Sequence, residues 1–399
     1  MSQKRILVQK FGGTSVATAE RRDQVVAHVR RARDAGYRVA IVVSAMGRRG
    51  DPYATDTLLD LLRADGGAIA PRDYDLIFVT GEIISVAVMS HTLTRAGIPA
   101  VGLTGGQAGI RTDGHHREAE IAAIDAARLR SILEAGEVPV VCGGQGIEPG
   151  TLDYTTLGRG GSDTSGVALG VALGADRVEI FTDVVGVAAT DPRLVPAAHW
   201  LARVSFQSMY ELARYGAKVV HPRAILSGWR GRTTIVVRST FSTEPGTVID
   251  NVADEWPLVG IATLSPMETV WLTPNAVNDQ IRARWERRLV IMSGTDATTG
   301  RLMVGIQGPR GEDLDQALAE SGVSPIGRLP GSAWISIVGE PETLRGRIPA
   351  VSACLTDAGV TMHGLEQVGP RATFVVDADR LERGTKAVYA ELFAEVAAP

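Results

Sequence analysis

Five charged residues stand at or near the ends of short apolar runs: Lys10, Glu82, Arg159 and Asp163 close to glycines, and Asp183 after a threonine. Lys10 precedes Phe11-Gly12-Gly13, and Thr80-Gly81 precedes Glu82. Arg159 lies between Gly158 and Gly160-Gly161, which lead into Ser162-Asp163, while Thr182-Asp183 closes the run 178–181. Glycine lets a backbone approach a bound group closely, and N–H groups presented in that way bind phosphate oxygens. Ligands of open α/β sheets lie outside the carboxyl ends of the strands. Cations and acids recurring there point to one shared site for an anionic ligand.

Several familiar chemistries are excluded. No Gly-x4-Gly-Lys-Ser/Thr occurs, and Gly158-Arg159-Gly160-Gly161-Ser162-Asp163 fails the dinucleotide pattern at its last position. None of the seven histidines has metal-ligand spacing, and there is no Gly-x-Ser-x-Gly elbow.

The elements that must position these residues alternate. Residues 5–9, 37–43, 99–103, 138–142, 178–181 and 234–237 read as strands, most of them near-continuously apolar, as suits a parallel sheet buried on both faces. Leu76–Val79 reads as a further strand that ends at Thr80-Gly81-Glu82, before a helix to about Ala96. Val25, Val29 and Ala32 mark one helical face, and Ser205 is suited to cap a helix carrying Met209, Leu212 and Ala213. This rhythm predicts a three-layer α/β domain with a mainly parallel central sheet over residues 1–250. The texture turns to Ser-Thr-Glu-Pro-Gly near residue 242. Residues 251–399 then read as smaller α+β units, divided at about 258–325 and 326–399.

Composition agrees with a soluble enzyme or binding protein. The 399 residues carry 41 Lys and Arg against 45 Asp and Glu, a net charge of −4, which gives no electrostatic footprint for nucleic acid. No continuous apolar run has membrane-spanning length, and the first residues reach Lys10 before a signal-peptide core could form, so a cytoplasmic protein is expected. The two cysteines are expected to be ordinary buried thiols.

The motifs together resemble those of the aspartate kinases of the amino-acid kinase superfamily. The residues concerned are Lys10-Phe11-Gly12-Gly13-Thr14-Ser15, Ser44-Ala45-Met46-Gly47, Thr80-Gly81-Glu82, Thr156 to Thr164, Thr182-Asp183-Val184, Asp191-Pro192-Arg193 and Gly216 to Pro222. They follow the family order over residues 6 to about 250. The resemblance implies transfer of the γ-phosphoryl of ATP, carried with Mg²⁺, to the side-chain carboxylate of L-aspartate. A carboxylate is already ionised at neutral pH, so this chemistry rests on positioning and charge neutralisation.

The same resemblance implies individual roles. Lys10, with Gly12 and Gly13, would stabilise the transferring phosphoryl group, and Asp163 would orient that lysine. Arg159 would clamp the α-carboxylate of aspartate, where a guanidinium fork fits well. Glu82 would face the ammonium, with Ser44, Thr55 and Ser162 as hydroxyl contacts. Thr182, Asp183, Asp191, Arg193 and Lys218 would serve the nucleotide. Residues 251–399 resemble paired ACT regulatory domains, which are ferredoxin-like, and imply a homodimer formed through that region. The effector turns depart from the family pattern: Pro274-Asn275-Ala276-Val277 stands in the first module and Gly346-Arg347-Ile348-Pro349 near the second. Altered or weak feedback inhibition is therefore expected. Two other readings remain open, another phosphotransferase of the superfamily and a catalytically silent ACT-type sensor.

Overall fold

Eight strands form the central sheet. They lie in the order Ala100–Leu103, Val138–Cys142, Arg38–Val43, Ile6–Phe11, Arg177–Thr182, Thr234–Ser239, Thr247–Asp250 and Arg203–Ser205. Every neighbouring pair is parallel except Thr234–Ser239 with Thr247–Asp250. The computed structural model describes residues 5–64, 66–287, 290–297, 299–307 and 311–394. It divides into two units. The first comprises Met1–Val187, Ala202–Phe206 and Val219–Ala253; the second comprises Ala188–Leu201, Gln207–Lys218 and Asp254–Pro399.

In the first unit the strand period of two decides which side each residue serves. Leu7 and Phe11 face a core shared with Val25, Val26 and Val29 of the helix Ala19–Asp34 and with Val86, Met89 and Leu93 of the helix Pro71–Arg95. Lys10 therefore faces the opposite side, which the helix Gly161–Leu173 covers. That helix comes close because Gly166 has no side chain: a Cβ there would lie 3.2 Å from the Lys10 Cβ. Helices thus cover both faces of the sheet, giving the expected three layers. A second, four-stranded sheet contains Ile121–Ile124, Ile110–Thr112, Gln145–Ile147 and Tyr154–Thr156.

One element differs from the sequence reading. Residues 76–79 are not a strand but part of a 25-residue helix, Pro71–Arg95, which opens with proline at its first position. Its buried positions Asp75, Val79, Glu82, Val86, Met89 and Leu93 recur at helical spacing, and Gly81 does not break it. Among the described residues it is the one helix long and apolar enough to cross a membrane. Its apolar stripe instead fills the core against the sheet.

The second unit holds a six-stranded antiparallel sheet ordered Val290–Thr295, Leu302–Gln307, Leu258–Leu272, Gly327–Gly339, Arg371–Asp377 and Met362–Val368. Two of its strands are long, and each serves two βα units. Residues 267–271 pair with 327–332, and between them lie the helix Asp279–Arg287, two strands and the helix Gly311–Glu320. Residues 258–264 pair with 334–339, followed by the helix Pro341–Asp357, two strands and the helix Leu381–Phe393. Each set has the ferredoxin-like, ACT-type form, and the first is inserted within the second. Gly346–Pro349 lies inside the helix Pro341–Asp357 rather than in a turn. Cys142 is buried, as expected, whereas Cys354 is half-buried.

Candidate active site

At the carboxyl end of Ile6–Phe11, the Lys10 Nζ lies 2.6 Å from Asp163 Oδ1, with both side chains almost wholly buried. The pairing follows from local structure. Lys10 projects toward the helix Gly161–Leu173, and Asp163 stands in that helix's first turn, before the Gly166 approach point. Gly13 begins a short helix where a Cβ would lie only 2.4 Å from the Ala45 carbonyl oxygen, so the Gly12-Gly13 turn and the 44–47 loop are in direct contact. Ser44 Oγ donates to Ser162 Oγ at 2.9 Å. Lys10, Gly12, Gly13, Ser44, Ser162 and Asp163 are thus brought together.

Glu82 joins this group through the neighbouring residue, because the Ala45 backbone hydrogen-bonds its carboxylate. The residue is 3% exposed, and Oε2 has no hydrogen-bond partner among the described residues. Burial pushes its pKa up to about 8, outweighing the two backbone hydrogen bonds that lower it. The sequence placed Glu82 at a strand end; the structure places it mid-helix, on the buried face. Above it the 45–58 segment closes over Gly81, where a Cβ would meet Ala45, Leu58 and the Tyr53 carbonyl at 3.0–3.2 Å. Thr55 begins the helix Thr55–Ala64 next to that segment and is half-buried.

Arg159 is exposed and has no ion pair among the described residues. Its loop is nonetheless sharply defined. Gly158 and Gly160 on either side have φ of +70° and +69°, in the left-handed region. A Cβ on Gly160 would also lie 2.2 Å from the His221 ring. His221 was not singled out from sequence. Its Nδ1 accepts the Arg223 N–H at 3.3 Å and caps the helix Pro222–Gly231. Burial lowers the His221 pKa despite nearby Asp163, favouring the neutral ring.

Thr182 and Asp183 follow the strand Arg177–Thr182, and Thr182 Oγ1 donates to Asp183 at 3.1 Å. Asp183 also pairs with Arg48 at 2.7 Å, a partner the sequence reading missed because neither residue signals the other locally. Together with Thr14 and Gly47 they line a cavity of about 360 Å³. Asp191, Arg193 and Lys218 belong to the second unit. There Arg193 grips Asp191 with two nitrogens, at 2.6 Å and about 3.0 Å, and holds the carboxyl below its usual range; Lys218 adds a smaller effect. No group of three or more His, Cys, Asp or Glu side chains suited to a metal occurs among the described residues.

Comparison with known proteins places this arrangement. The model of the amino acid kinase family matches residues 5–239. Aspartokinase 1 of Bacillus subtilis is 48% identical over 246 residues, which are 61% of this chain and 60% of that protein. An aspartokinase of Thermus thermophilus is 35% identical over 96% of this chain and 98% of its own. Among solved structures, Escherichia coli aspartokinase III in complex with aspartate and ADP superposes with a TM-score of 0.79 at 23% identity, covering 97% of this chain and 100% of that one. Aspartate kinase from Clostridium acetobutylicum gives 0.72 at 20% identity, covering 97% and 100%. At those identities the structures establish the fold, with its α/β sandwich and ACT-like second part; the family follows from the sequence matches. This chain belongs to the aspartokinases, within the amino acid kinase superfamily.

Proposed function

We propose that the protein transfers the γ-phosphoryl group of ATP to the side-chain carboxylate of L-aspartate, giving 4-phospho-L-aspartate. The observation that carries this reading is the buried Lys10–Asp163 pair, joined through Ser162, Ser44 and Ala45 to a buried carboxylate with an unpartnered oxygen, Glu82. A cation poised at the end of a strand suits the charge that builds on a phosphoryl group in transfer. Asp163 fixes that cation in one place. The attacking oxygen needs no general base, because the acceptor carboxylate is ionised.

Recognition of the acceptor divides between two groups. Glu82 receives the α-ammonium, whose charge returns the carboxyl to its ionised form and gives Oε2 a partner. Arg159 receives the α-carboxylate, with Ser44, Thr55 and Ser162 supplying hydroxyls. Thr182 and Asp183 serve the nucleotide in the first unit; Asp191, Arg193 and Lys218, which the family resemblance also assigns to it, belong to the second. Mg²⁺ would enter with the nucleotide and neutralise the triphosphate charge; no cluster of protein ligands suited to it occurs among the described residues, which fits an ion held by phosphate oxygens and water. The chain's own contribution is then Lys10 and the backbone at Gly12 and Gly13.

Feedback control is proposed to be weak. The helix Pro341–Asp357 follows its strand directly, with Pro341 at its first position and no intervening effector turn. A cytoplasmic homodimer is also proposed; pairing through the ACT-like part would use the two edge strands of its sheet, Val290–Thr295 and Met362–Val368. The deciding experiment for the reaction is hydroxylamine trapping with Mg·ATP. Hydroxamate formed with aspartate supports the reading. Formation only with another amino acid, or with none, overturns it.

A further inference from the structure

We propose that Asp75 is a positioning residue for acceptor recognition, acting through the loop that carries Arg159; the inference rests on the reading of Arg159 just given. Asp75 is wholly buried on the helix Pro71–Arg95 and far from Arg159 in sequence. Its carboxylate accepts the Thr156 hydroxyl at 2.5 Å and the Thr156 N–H at 3.2 Å. It also accepts the Arg117 N–H at 3.0 and 3.1 Å, and lies 2.8 Å from His116 Nδ1. One side chain thus fastens two loops, 116–119 and 156–160.

The residues leading to Arg159 are each held. Thr156 is bound by Asp75, and its carbonyl accepts the Ala119 N–H at 2.9 Å. The Leu157 carbonyl accepts Arg223 Nη1 at 2.8 Å, while Arg223 Nη2 reaches the Ala119 carbonyl at 2.7 Å. Gly158 lies against the Arg117 carbonyl, 2.8 Å from where its Cβ would be. Arg117 itself has φ of +72°, unusual for a residue with a side chain, and its guanidinium lies 4.5 Å from the Tyr74 ring centre. Beyond Arg159, Gly160 meets His221. Only the Arg159 side chain in this stretch is left projecting into solvent.

A buried carboxylate with this many donors makes a stiff support, and its loss leaves several donors unsatisfied. Stiffness matters because displacement of a binding group by an ångström weakens its hold on the ligand. Asp75 touches no substrate in this scheme. Its effect passes through Arg159.

The test uses the full chain. Asp75→Asn keeps the shape but presents an amide N–H₂ to donors. It is expected to raise KM for aspartate about tenfold, leaving kcat within about twofold and KM for ATP unchanged. In an Arg159→Ala background the same change is expected to add nothing to KM, a dependence that general loosening of the fold would not produce. Where Asp75→Asn fails to fold, Thr156→Val removes one of the bonds and is read in the same way, with a smaller rise. An unchanged KM for aspartate, or a full additional rise in the Arg159→Ala background, overturns the inference while wild-type turnover stands. Absence of wild-type turnover with aspartate overturns the underlying reading and this inference with it.

Discussion

Asp75 and Glu82 occupy one buried face of the helix Pro71–Arg95, about two turns apart. Neither carboxylate pairs with an arginine or lysine side chain among the described residues. Their surroundings differ in one respect. Asp75 is surrounded by hydrogen-bond donors, whereas Glu82 keeps an oxygen without any. The first arrangement suits a structural support, the second a site waiting for a cation.

A proton balance follows for Glu82. Burial pushes its pKa up to about 8, so without a bound ammonium the carboxyl is expected to be protonated at pH 7. Binding of the aspartate ammonium restores the carboxylate, so aspartate binding at pH 7 releases a proton. Calorimetry in buffers of different ionisation enthalpy measures this release, and Glu82→Gln abolishes it. The stability sign is also fixed. A raised carboxyl keeps its contribution below the unfolded value of 4.5 and loses it as pH rises through about 8. Glu82→Gln should therefore flatten the decline of melting temperature across that range, and an unchanged decline would count against the assignment.

Lys10 and Asp163 should behave as one unit. Removing one partner of a buried pair leaves an uncompensated charge and costs on the order of 3 kcal/mol. Lys10→Met is expected to lower the melting temperature measurably and to reduce kcat by about a thousandfold. Lys10→Met/Asp163→Leu should regain stability without regaining turnover. Thermal unfolding paired with the trapping assay checks both halves. If the double variant is less stable than either single one, the pair is not the isolated unit seen here.

Gly160→Ala tests the geometry of the Arg159 loop. The left-handed backbone alone costs an alanine about 1–2 kcal/mol, and its Cβ would overlap the His221 ring. The loop must shift, so KM for aspartate is expected to rise more than KM for ATP. Gly160→Ala/His221→Ala removes the overlap but not the φ penalty, and should recover part of the loss. Equal effects on the two substrates would argue that Gly160 serves the nucleotide instead.

The legible parts of this site were those fixed by local rules. Period-two alternation along Ile6–Phe11 sends Lys10 away from the Leu7–Phe11 core, and the Gly160-Gly161 turn starts the helix carrying Ser162 and Asp163. The sequence marks Glu82 as a site residue but places it at the end of a strand rather than within a helix. Leu76-Ile77-Phe78-Val79 ahead of a glycine has the composition of a strand end, and the helical stripe there runs through two charged residues, Asp75 and Glu82, that local composition does not mark as buried. Asp75 itself gave no signal, since Arg72-Asp73-Tyr74-Asp75 reads as a polar surface turn. Its partners lie some 40 and 80 positions away and depend on the tertiary fold. The grouping of Asp191, Arg193 and Lys218 with the second unit was equally hidden, because Thr182-Asp183 and Asp191 follow one another closely along the chain.

The ACT-like part leads to a prediction about regulation. In the reading proposed above, an effector would be received at the turn between the first strand and the first helix of each ferredoxin-like set. Pro274–Val277 still forms a turn, and Asn278 Oδ1 accepts the Ile281 N–H at 2.9 Å to cap the following helix. At the corresponding place in the other ferredoxin-like set, the strand Gly327–Gly339 passes through Glu340 straight into the helix Pro341–Asp357, and Gly346–Pro349 lies within that helix. The two corresponding places therefore differ, the first having a turn before its helix and the second none. Lysine and threonine, alone or together, should leave hydroxamate formation largely unchanged at saturating substrate. Strong inhibition by either would overturn the prediction, and Asn278→Ala would then separate the sites: lost inhibition would place the effector at the first turn, and retained inhibition would place it elsewhere.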